Sequence, residues 1–537
     1  MDRRQFLVGV ARTGLAAGLL AVVDACAGPA PPSLLGILRG SPAPPSSTSP
    51  SGQPTPGPPA PGQFPRDNPT AAENRRAGNH GWDLTAADGP SGATAFAAAA
   101  SVAPGDTLDL HVASPTAFDV EWYRLGWYEG SGGRLVRQDR GLGAAPAAPR
   151  AIDRVTGRVE AAGGRVLSVP VDGAWPSGVY LAVVRPTVGP PAYAPFTVRA
   201  APTASSAPVL FVNATTTWQA YNAWGGADLY DASTADAPEG ASGRRAVQVS
   251  YDRPQALGRG AGYMPRWELQ FVRWQEREGR DVDYCADVDL ELHPEVVTGR
   301  RLILFVGHHE YWSRPMRATI EGAIAAGTNV AFLSADDMAW QIRLEPSPLG
   351  PARRITCYKS SALDPLASTQ PAVATCRWRE PPVNDPEALV IGEMYGHIVA
   401  RPADWIVAGS GHWLYEATGL GDGDAIRNLV GQEFDTFFPT LAHPGTVILA
   451  RSPVVPIIHR APRKGVPLPL DEDVQTATAY VADSGATVIA AGTFQWSWAL
   501  DDYGDRSYHG VATPLDGRVA RMTTNILDRL GDGRGTV

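Results

Sequence analysis

The stretch LILFVGHHEYWS, residues 302–313, decides the fold class of this chain. Residues 302–306 are continuously apolar, which is typical of a parallel strand covered on both faces. Ser313 can cap a helix that reaches Ala326, with Pro315 in its first turn and Gly327 after its end. The stretch therefore predicts a strand followed closely by a helix, with two histidines and a glutamate where they join.

Strand and helix patterns alternate on both sides of this stretch. Apolar runs at residues 209–212, 282–285 and 330–333 predict three further strands. A helix that ends near Gly279 is predicted between the first two runs, because apolar residues recur there at helical spacing. These residues are Met264, Trp267, Phe271 and Trp274. We expect parallel strands with crossover helices, which form a doubly wound α/β sheet.

We expect this α/β domain to span residues 207–535. Residues 345–510 are interpreted as a partly β elaboration whose strand order stays open, and residues 518–530 are predicted to form a final helix. An immunoglobulin-like β-sandwich is predicted before the domain, over residues 80–200, because short alternating strands are separated there by Gly- and Pro-rich turns. The sequence thus predicts α/β plus all-β architecture.

The N-terminus has the pattern of an export signal. An arginine pair precedes an apolar run at residues 7–23, and residues 1–26 are similar to a twin-arginine signal. The run is short and Arg12 interrupts it, which disfavours a permanent membrane span. Cys26 ends a possible lipobox and could be lipidated, although Asp24 departs from that motif. Residues 27–75 are rich in Pro, Ser and Gly and are predicted to be a disordered linker.

Charge and cysteine content limit the partners and the compartment. The formal net charge of -9 leaves no basic excess for phosphate contacts, so we expect no nucleic-acid partner. We expect an exported protein of the cell envelope or the extracellular space, reaching the membrane only through the signal or a lipid anchor. In an oxidising compartment, Cys357 and Cys376 could form a disulfide.

Two segments at predicted strand ends carry residues suited to chemistry. Residues 213–230 include the string TWQAYN with two later glycines, and residues 307–312 carry the imidazoles and the carboxylate. Ligands bind at the carboxyl ends of strands in open α/β sheets. Carboxylate and phenolate oxygens favour a hard cation, and such a cation activates water and polarises the carbonyl of an otherwise unreactive amide.

Several motifs resemble those of the N,N-dimethylformamidase large (beta) subunit family. They are YRLG at 123–126, YEG at 128–130, WQAYN at 218–222, GHHEYWS at 307–313 and WQ at 340–341. The resemblance implies a formamide hydrolase with a mononuclear ferric iron held by two tyrosines and a glutamate. It also implies a fold akin to class I glutamine amidotransferases.

Carried over by residue, the resemblance implies that Glu310 is the carboxylate ligand and that Tyr221 is one phenolate ligand. Tyr263 is the prediction for the second, with Tyr230 and Tyr251 as alternatives. His308 is predicted to act with Glu310 in catalysis by orienting the attacking water.

The remaining predicted pocket residues are Asn222, His309, Asp336 and Trp340. A covalent mechanism is disfavoured, because no Gly-x-Ser-x-Gly or Gly-x-Cys-x-Gly frames the turn near Ser334.

The leading hypothesis is a metal-dependent hydrolase of a small amide that could work with a small subunit or as a homo-oligomer. The alternative is a non-catalytic, envelope-tethered protein that binds a cell-wall or extracellular ligand. The signal and the spacer fit both hypotheses.

Overall fold

The computed structural model describes residues 67–84, 92–200, 207–231, 239–240, 243–457 and 473–533. All of these belong to one compact unit, Pro59–Val537. The predicted signal, Cys26 and residues 27–66 of the predicted linker lie outside the described residues. Within the described residues, no helix is both long and apolar enough to span a bilayer.

The first part of the described chain is built from short strands. They are β1 (Thr94–Ala97), β2 (Ser101–Val102), β3 (Thr107–Ala113), β4 (Phe118–Leu125), β5 (Gly133–Leu142), β6 (Ala147–Ile152), β7 (Val159–Gly163), β8 (Arg165–Pro170), β9 (Gly178–Pro186) and β10 (Ala192–Val198). One sheet has the order β1-β3-β8 and another the order β2-β10-β9-β4-β5, while β6 pairs with β7. A shared apolar core, with Leu110 from one sheet and Trp122 from the other, makes this region a two-sheet β structure. Its immunoglobulin-like topology stays a prediction.

The later strands begin with β11 (Val209–Asn213), β12 (Glu239–Gly240), β13 (Gly243–Arg244), β14 (Gln248–Ser250), β15 (Val282–Ala286), β16 (Leu302–His308), β17 (Tyr311–Ser313), β18 (Asn329–Ala335), β19 (Trp340–Ser347) and β20 (Gly350–Thr356). They continue with β21 (Met394–Ile398), β22 (Ala403–Ile406), β23 (Ala425–Val430), β24 (Glu433–Thr436), β25 (Val447–Pro453), β26 (Val474–Val481), β27 (Thr487–Ala490), β28 (Ser507–Tyr508) and β29 (Val511–Ala512). The α-helices are α1 (Pro69–Asn74), α2 (Thr215–Ala220), α3 (Met264–Trp267), α4 (Leu269–Arg277), α5 (Asp289–Leu292), α6 (Arg314–Ala325), α7 (Ala388–Ile391) and α8 (Gly517–Ile526).

The large sheet has the order β15-β11-β16-β18-β27-β26-β25. Its first five strands are parallel and include all four strands predicted from the apolar runs, whereas β26 and β25 are antiparallel. One face packs with α4 and α8, and the opposite face packs with α6. Helices on both faces of a mainly parallel sheet agree with the predicted layering. The likeness to glutamine amidotransferases stays a prediction.

Three boundaries differ from the sequence predictions. The helix predicted over 264–274 is split at Glu268, whose buried carboxylate accepts the Trp218 indole N–H at 2.8 Å. The final helix starts one residue early and changes to a π-type turn at Leu527. Residues 69–74, assigned above to the linker, form α1, because Asn68 caps it and Asn74 donates to Glu276 at 2.7 Å.

A buried ion pair joins the β-sheet region to the α/β region. The two terminal nitrogens of the Arg124 guanidinium, Nη1 and Nη2, donate to the Glu276 carboxylate at 2.8 Å, and both side chains are fully buried. Tyr284 donates to the same carboxylate at 2.7 Å. The outer face of β4 also packs into the apolar cluster that covers the large sheet, so the two regions share one core.

Candidate active site

The candidate site lies where the strand order of the large sheet reverses. β15 lies on one side of β11 and β16 on the other, so the crevice opens between the ends of β11 and β16. Such a reversal is where open α/β sheets bind ligands. The two segments singled out from the sequence leave these two strand ends, at Asn213 and His308.

The segment after β11 is held by buried hydrogen bonds. Asp287, which follows β15, accepts the Thr216 backbone N–H at 3.0 Å and the Thr216 hydroxyl at 2.5 Å. A carboxylate in this position satisfies donors that the first turn of α2 leaves free. With α2 fixed in this way, Tyr221 follows directly at its C-terminal end.

Gly307, the next-to-last residue of β16, has a φ of +89° and lies against Trp267, and the chain leaves the strand after His308. The Glu310 backbone N–H then donates to the Thr217 hydroxyl at 3.0 Å, which ties the two segments together. The parallel pairing of β17 with β19 places Trp340 opposite Tyr311. These contacts bring residues distant in sequence to one end of the sheet.

The carboxylate of Glu310 is the centre of the site. Tyr221 donates to it at 2.7 Å, and so does the Trp340 indole N–H. The hydroxyl of Tyr230 lies 2.7 and 2.9 Å from the two carboxylate oxygens and 2.7 Å from the hydroxyl of Tyr221. Tyr311 donates to the Tyr230 hydroxyl at 2.6 Å. Three phenol hydroxyls and one carboxylate therefore meet in one cluster, in which the Tyr230 ring is partly exposed.

Burial and the charge of Glu310 raise the pKa values of Tyr221, Tyr230 and Tyr311 well above the ordinary phenol value. Burial alone would also raise the pKa of Glu310. The hydrogen bond and charge of His308, the charge of Lys359 and the Tyr221 hydroxyl instead lower it to about 2. The cluster is thus an ionised carboxylate surrounded by neutral phenols. A bound cation would favour the phenolate forms.

The hydroxyls of Tyr221 and Tyr230 both lie within hydrogen-bond distance of the Glu310 carboxylate. The Tyr263 ring packs edge-on against the ring of Tyr221, with centroids 5.8 Å apart. The Tyr251 hydroxyl lies 3.1 Å from the hydroxyl of Thr215, at the start of α2. The placement favours Tyr230, one of the open alternatives, as the second oxygen donor, while Tyr263 as a ligand stays a prediction.

His308 reaches the centre, whereas His309 points elsewhere. His308 Nε2 lies 3.3 Å from a Glu310 carboxylate oxygen. The His309 ring packs edge-on against Phe305 at 5.1 Å between centroids, and burial lowers the pKa of His309 to about 3. The Asn222 amide donates to the Pro254 carbonyl at 2.9 Å, so this side chain holds the loop.

Asp336, another predicted pocket residue, lies just beyond β18 in a left-handed conformation with a φ of +49°. One ligand atom each from His308, Asp336 and Glu433 lies within 4.8 Å of the others, and all three residues are buried. Glu433 was not predicted from the sequence. It lies in the 345–510 segment, whose strand order the periodicity left open.

Lys359 was also missed. Its ammonium lies 3.1 Å from the centroid of the Tyr230 ring, and burial lowers its pKa to about 7 although the charge of Glu310 opposes the shift. A lone lysine after β20 carries no sequence signal for a site. Its position became evident only from the fold.

Two further sequence expectations have different outcomes in the structure. Cys357 and Cys376 are free, buried thiols that donate to separate carbonyls, those of Gln341 and Pro381, so the considered disulfide is absent. Ser334 lies buried within β18 and donates to Asp337 at 2.7 Å. Its place inside the strand, rather than at a turn, is consistent with the prediction that disfavours a covalent mechanism.

The donor set fits a small, hard cation. The oxygen–oxygen distances among Tyr221, Tyr230 and Glu310 are 2.7 to 2.9 Å. Phenolate and carboxylate are also the ligand types that hard ions prefer.

A comparison with known protein families shows the family of this chain. The family model described as "N,N-dimethylformamidase beta subunit-like, C-terminal" matches residues 119–509, more than half of the chain. The chain belongs to this family. The dimethylformamidase-like region begins inside β4, so it includes most of the sandwich as well as the α/β region. No curated protein matches the chain.

Proposed function

We propose that this dimethylformamidase-like chain hydrolyses the C–N bond of a small linear amide, such as a formamide, at the site around Glu310. The observation that carries the proposal is the convergence of Tyr221, Tyr230 and Glu310 at the strand-order reversal. These residues would hold the metal, for which ferric iron is the candidate that the family resemblance suggests. Such an ion supplies Lewis acidity for activating water and polarising the amide carbonyl.

The protein residues have separate tasks in this proposal. Trp340 orients the Glu310 carboxylate through its 2.7 Å hydrogen bond. His308, 3.3 Å from the same carboxylate, would position the attacking water and exchange a proton at Nε2. The Lys359 ammonium, buried against Tyr230, would offset negative charge that develops on the amide oxygen.

The competing hypothesis is an envelope-tethered binding protein that holds a cell-wall or extracellular ligand, and the predicted signal and spacer fit it as well as they fit the hydrolase. The family relationship favours the hydrolase instead. Export to the cell envelope or beyond remains part of our proposal. Assembly with a small subunit or as a homo-oligomer is compatible with the beta subunit-like family description.

Metal analysis and turnover in matched tyrosine variants test the proposal. The wild-type chain should carry iron with a visible phenolate-to-metal absorption band, and it should release amine from formamide or N,N-dimethylformamide. Tyr230→Phe and Glu310→Gln should each weaken iron binding at least tenfold and lower the band in proportion to the iron lost, since even indirect partners of a metal ligand contribute about 10–100-fold.

Tyr263→Phe is the matched control, because it removes a hydroxyl from a ring that touches the same cluster. It should keep both the band and the turnover. Loss of the band in Tyr263→Phe with retention in Tyr230→Phe would reverse the ligand assignment. Full iron content in both Tyr230→Phe and Glu310→Gln would reject the metal site.

A further inference from the structure

The loop of residues 222–229 connects the two phenols that lie closest to the Glu310 carboxylate. Tyr221 follows the end of α2, and Tyr230 comes nine positions later. The loop folds back so that the two rings stack with their centroids 4.4 Å apart and their hydroxyls 2.7 Å apart. The position of the Tyr230 hydroxyl at Glu310 therefore depends on the path of this loop.

A buried arginine binds the loop from inside the protein. Arg253 lies just after β14 and is 1% exposed. Its Nη2 donates to the carbonyl of Asn222 at 2.7 Å. Its Nη1 donates to the carbonyls of Trp224 and Ala227 at 3.0 and 2.9 Å. One guanidinium thus binds three carbonyls of the loop and fixes their positions relative to each other.

The surroundings of Arg253 are unfavourable for a charge. Within the described residues, the guanidinium hydrogen-bonds to these backbone carbonyls and to no carboxylate. Burial lowers the pKa of Arg253 to about 10, although the charge of Asp228 opposes the shift. An apolar side chain would fill the same space without burying a cation. Only a planar group with several donors binds three carbonyls at once, so the arrangement points to control of the loop.

The remainder of the loop is also held in place. The Asp228 carboxylate accepts the backbone N–H groups of Tyr230 and Asp231, each at 2.7 Å. Gly225 lies against Val159 of β7, where an added Cβ would come within 2.5 Å of the valine side chain. With the loop fixed from inside and outside, the Tyr230 hydroxyl has a defined place in the cluster.

We propose that Arg253 is a positioning residue for the metal site: it holds the loop of residues 222–229 and thereby places the Tyr230 hydroxyl at Glu310. Because it takes Tyr230 as a metal ligand, this proposal rests on the proposed function. Groups that hold a ligand in place contribute about 10–100-fold to metal affinity. Arg253 acts on the second phenol through the backbone, without contact to the ligand oxygens.

Iron affinity in a double-mutant cycle tests this role. Arg253→Lys keeps the charge but loses the planar set of donors, and it should weaken iron binding at least tenfold. Adding Arg253→Lys to Tyr230→Phe should weaken binding no further, because the hydroxyl that Arg253 positions is already absent. Arg253→Gln is the second variant, since its neutral amide leaves no buried charge if the lysine variant does not fold. Circular dichroism checks the folding of each variant.

Arg300→Lys is the control. Arg300 is also buried and donates to two backbone carbonyls, but it lies before β16, at the end of the sheet opposite Glu310. Arg300→Lys should bind iron like wild type, both alone and together with Tyr230→Phe. Wild-type iron affinity in a folded Arg253 variant, or full additivity with Tyr230→Phe, would overturn the positioning role.

A measurement without metal separates this role from the proposed function. Nitration by tetranitromethane, followed by mass spectrometry, reports whether the Tyr230 ring has left the cluster. The ring is 37% exposed, so the reagent reaches it. Tyr230 should be nitrated faster in the Arg253 variants than in wild type or Arg300→Lys.

The metal site and the positioning role fail in different ways. If wild type binds no iron but Tyr230 is nitrated faster in the Arg253 variants, the metal site is wrong and Arg253 still positions Tyr230. If wild type binds iron and the Arg253 variants match it in both iron affinity and nitration, the positioning role is wrong and the metal site stands.

Discussion

Replacing Gly307 with alanine should damage the site through the backbone. Gly307 has a φ of +89°, and a Cβ built there would lie 2.6 Å from the Cβ of Trp267. The left-handed conformation costs an L-residue about 1–2 kcal/mol, and overpacking adds about 1–3 kcal/mol. We therefore expect Gly307→Ala to lower the free energy of unfolding by about 2–5 kcal/mol.

The same contact predicts the loss of activity. Relieving the clash needs a movement of roughly 1 Å, because ordinary carbon–carbon contacts are about 3.5–4.0 Å. Gly307 directly precedes His308 and lies three residues before Glu310. A displacement of about 1 Å at reacting groups can reduce turnover about 100-fold, so kcat/KM should fall by about that factor.

Thermal unfolding and amide hydrolysis measure the two effects. For the roughly 480 residues of the compact unit the entropy of unfolding is about 1 kcal/mol/K, so the Tm should fall by about 2–5 °C. Gly322→Ala is the control, since Gly322 lies within α6 with open space around it, and alanine there should be neutral or stabilise by up to about 1 kcal/mol. Wild-type Tm and kcat/KM in Gly307→Ala would refute this reasoning.

Three further predictions concern the buried ion pair, the site and export. Arg124→Met should lower the free energy of unfolding by about 3–5 kcal/mol, because it leaves the Glu276 carboxylate buried without its cation. Adding Glu276→Leu should recover part of that loss, as measured by chemical unfolding. Equal stability of the single and double variants would contradict this prediction. Trp340→Phe removes an indole donor at 2.7 Å and should weaken iron binding about 10–100-fold. Trp413→Phe, whose ring lies against Arg529 and His412, should bind iron like wild type. Changing the arginine pair at residues 3–4 to lysines should retain the chain in the cytoplasm, as cell fractionation would show, and unchanged export would argue against a twin-arginine signal.

Much of the α/β region could be predicted because its strands are continuous apolar runs. All four predicted strands lie in the large sheet, and the Ser313 cap starts α6 as expected. The alternation of these strands with helices, together with the motif at 307–313, predicted the end of the sheet where Tyr221, Tyr230 and Glu310 meet. Local patterns were sufficient here because buried parallel strands and capped helices have strong local signals.

The composition of the site was less predictable, because it depends on contacts distant in sequence. Tyr230 was one of several tyrosines, and only folding brings its hydroxyl to Glu310, 80 positions later. Glu433 and Lys359 lie in a segment with short, irregular strands, where periodicity does not determine the pairing. The split helix at Glu268 shows the same limit, since a tertiary hydrogen bond to Trp218 overrides the local helical pattern.

The Arg124–Glu276 pair has a consequence for how this protein can be divided. A fragment that begins after the β-sheet region would leave Glu276 without its cation in an apolar setting. A fragment that ends before the α/β region would leave Arg124 without its carboxylate partner. Neither half should therefore be soluble when produced alone, whereas the two halves supplied together should reassemble. Dividing the chain between the β-sheet region and the α/β region is consequently a poor route to a smaller folded fragment.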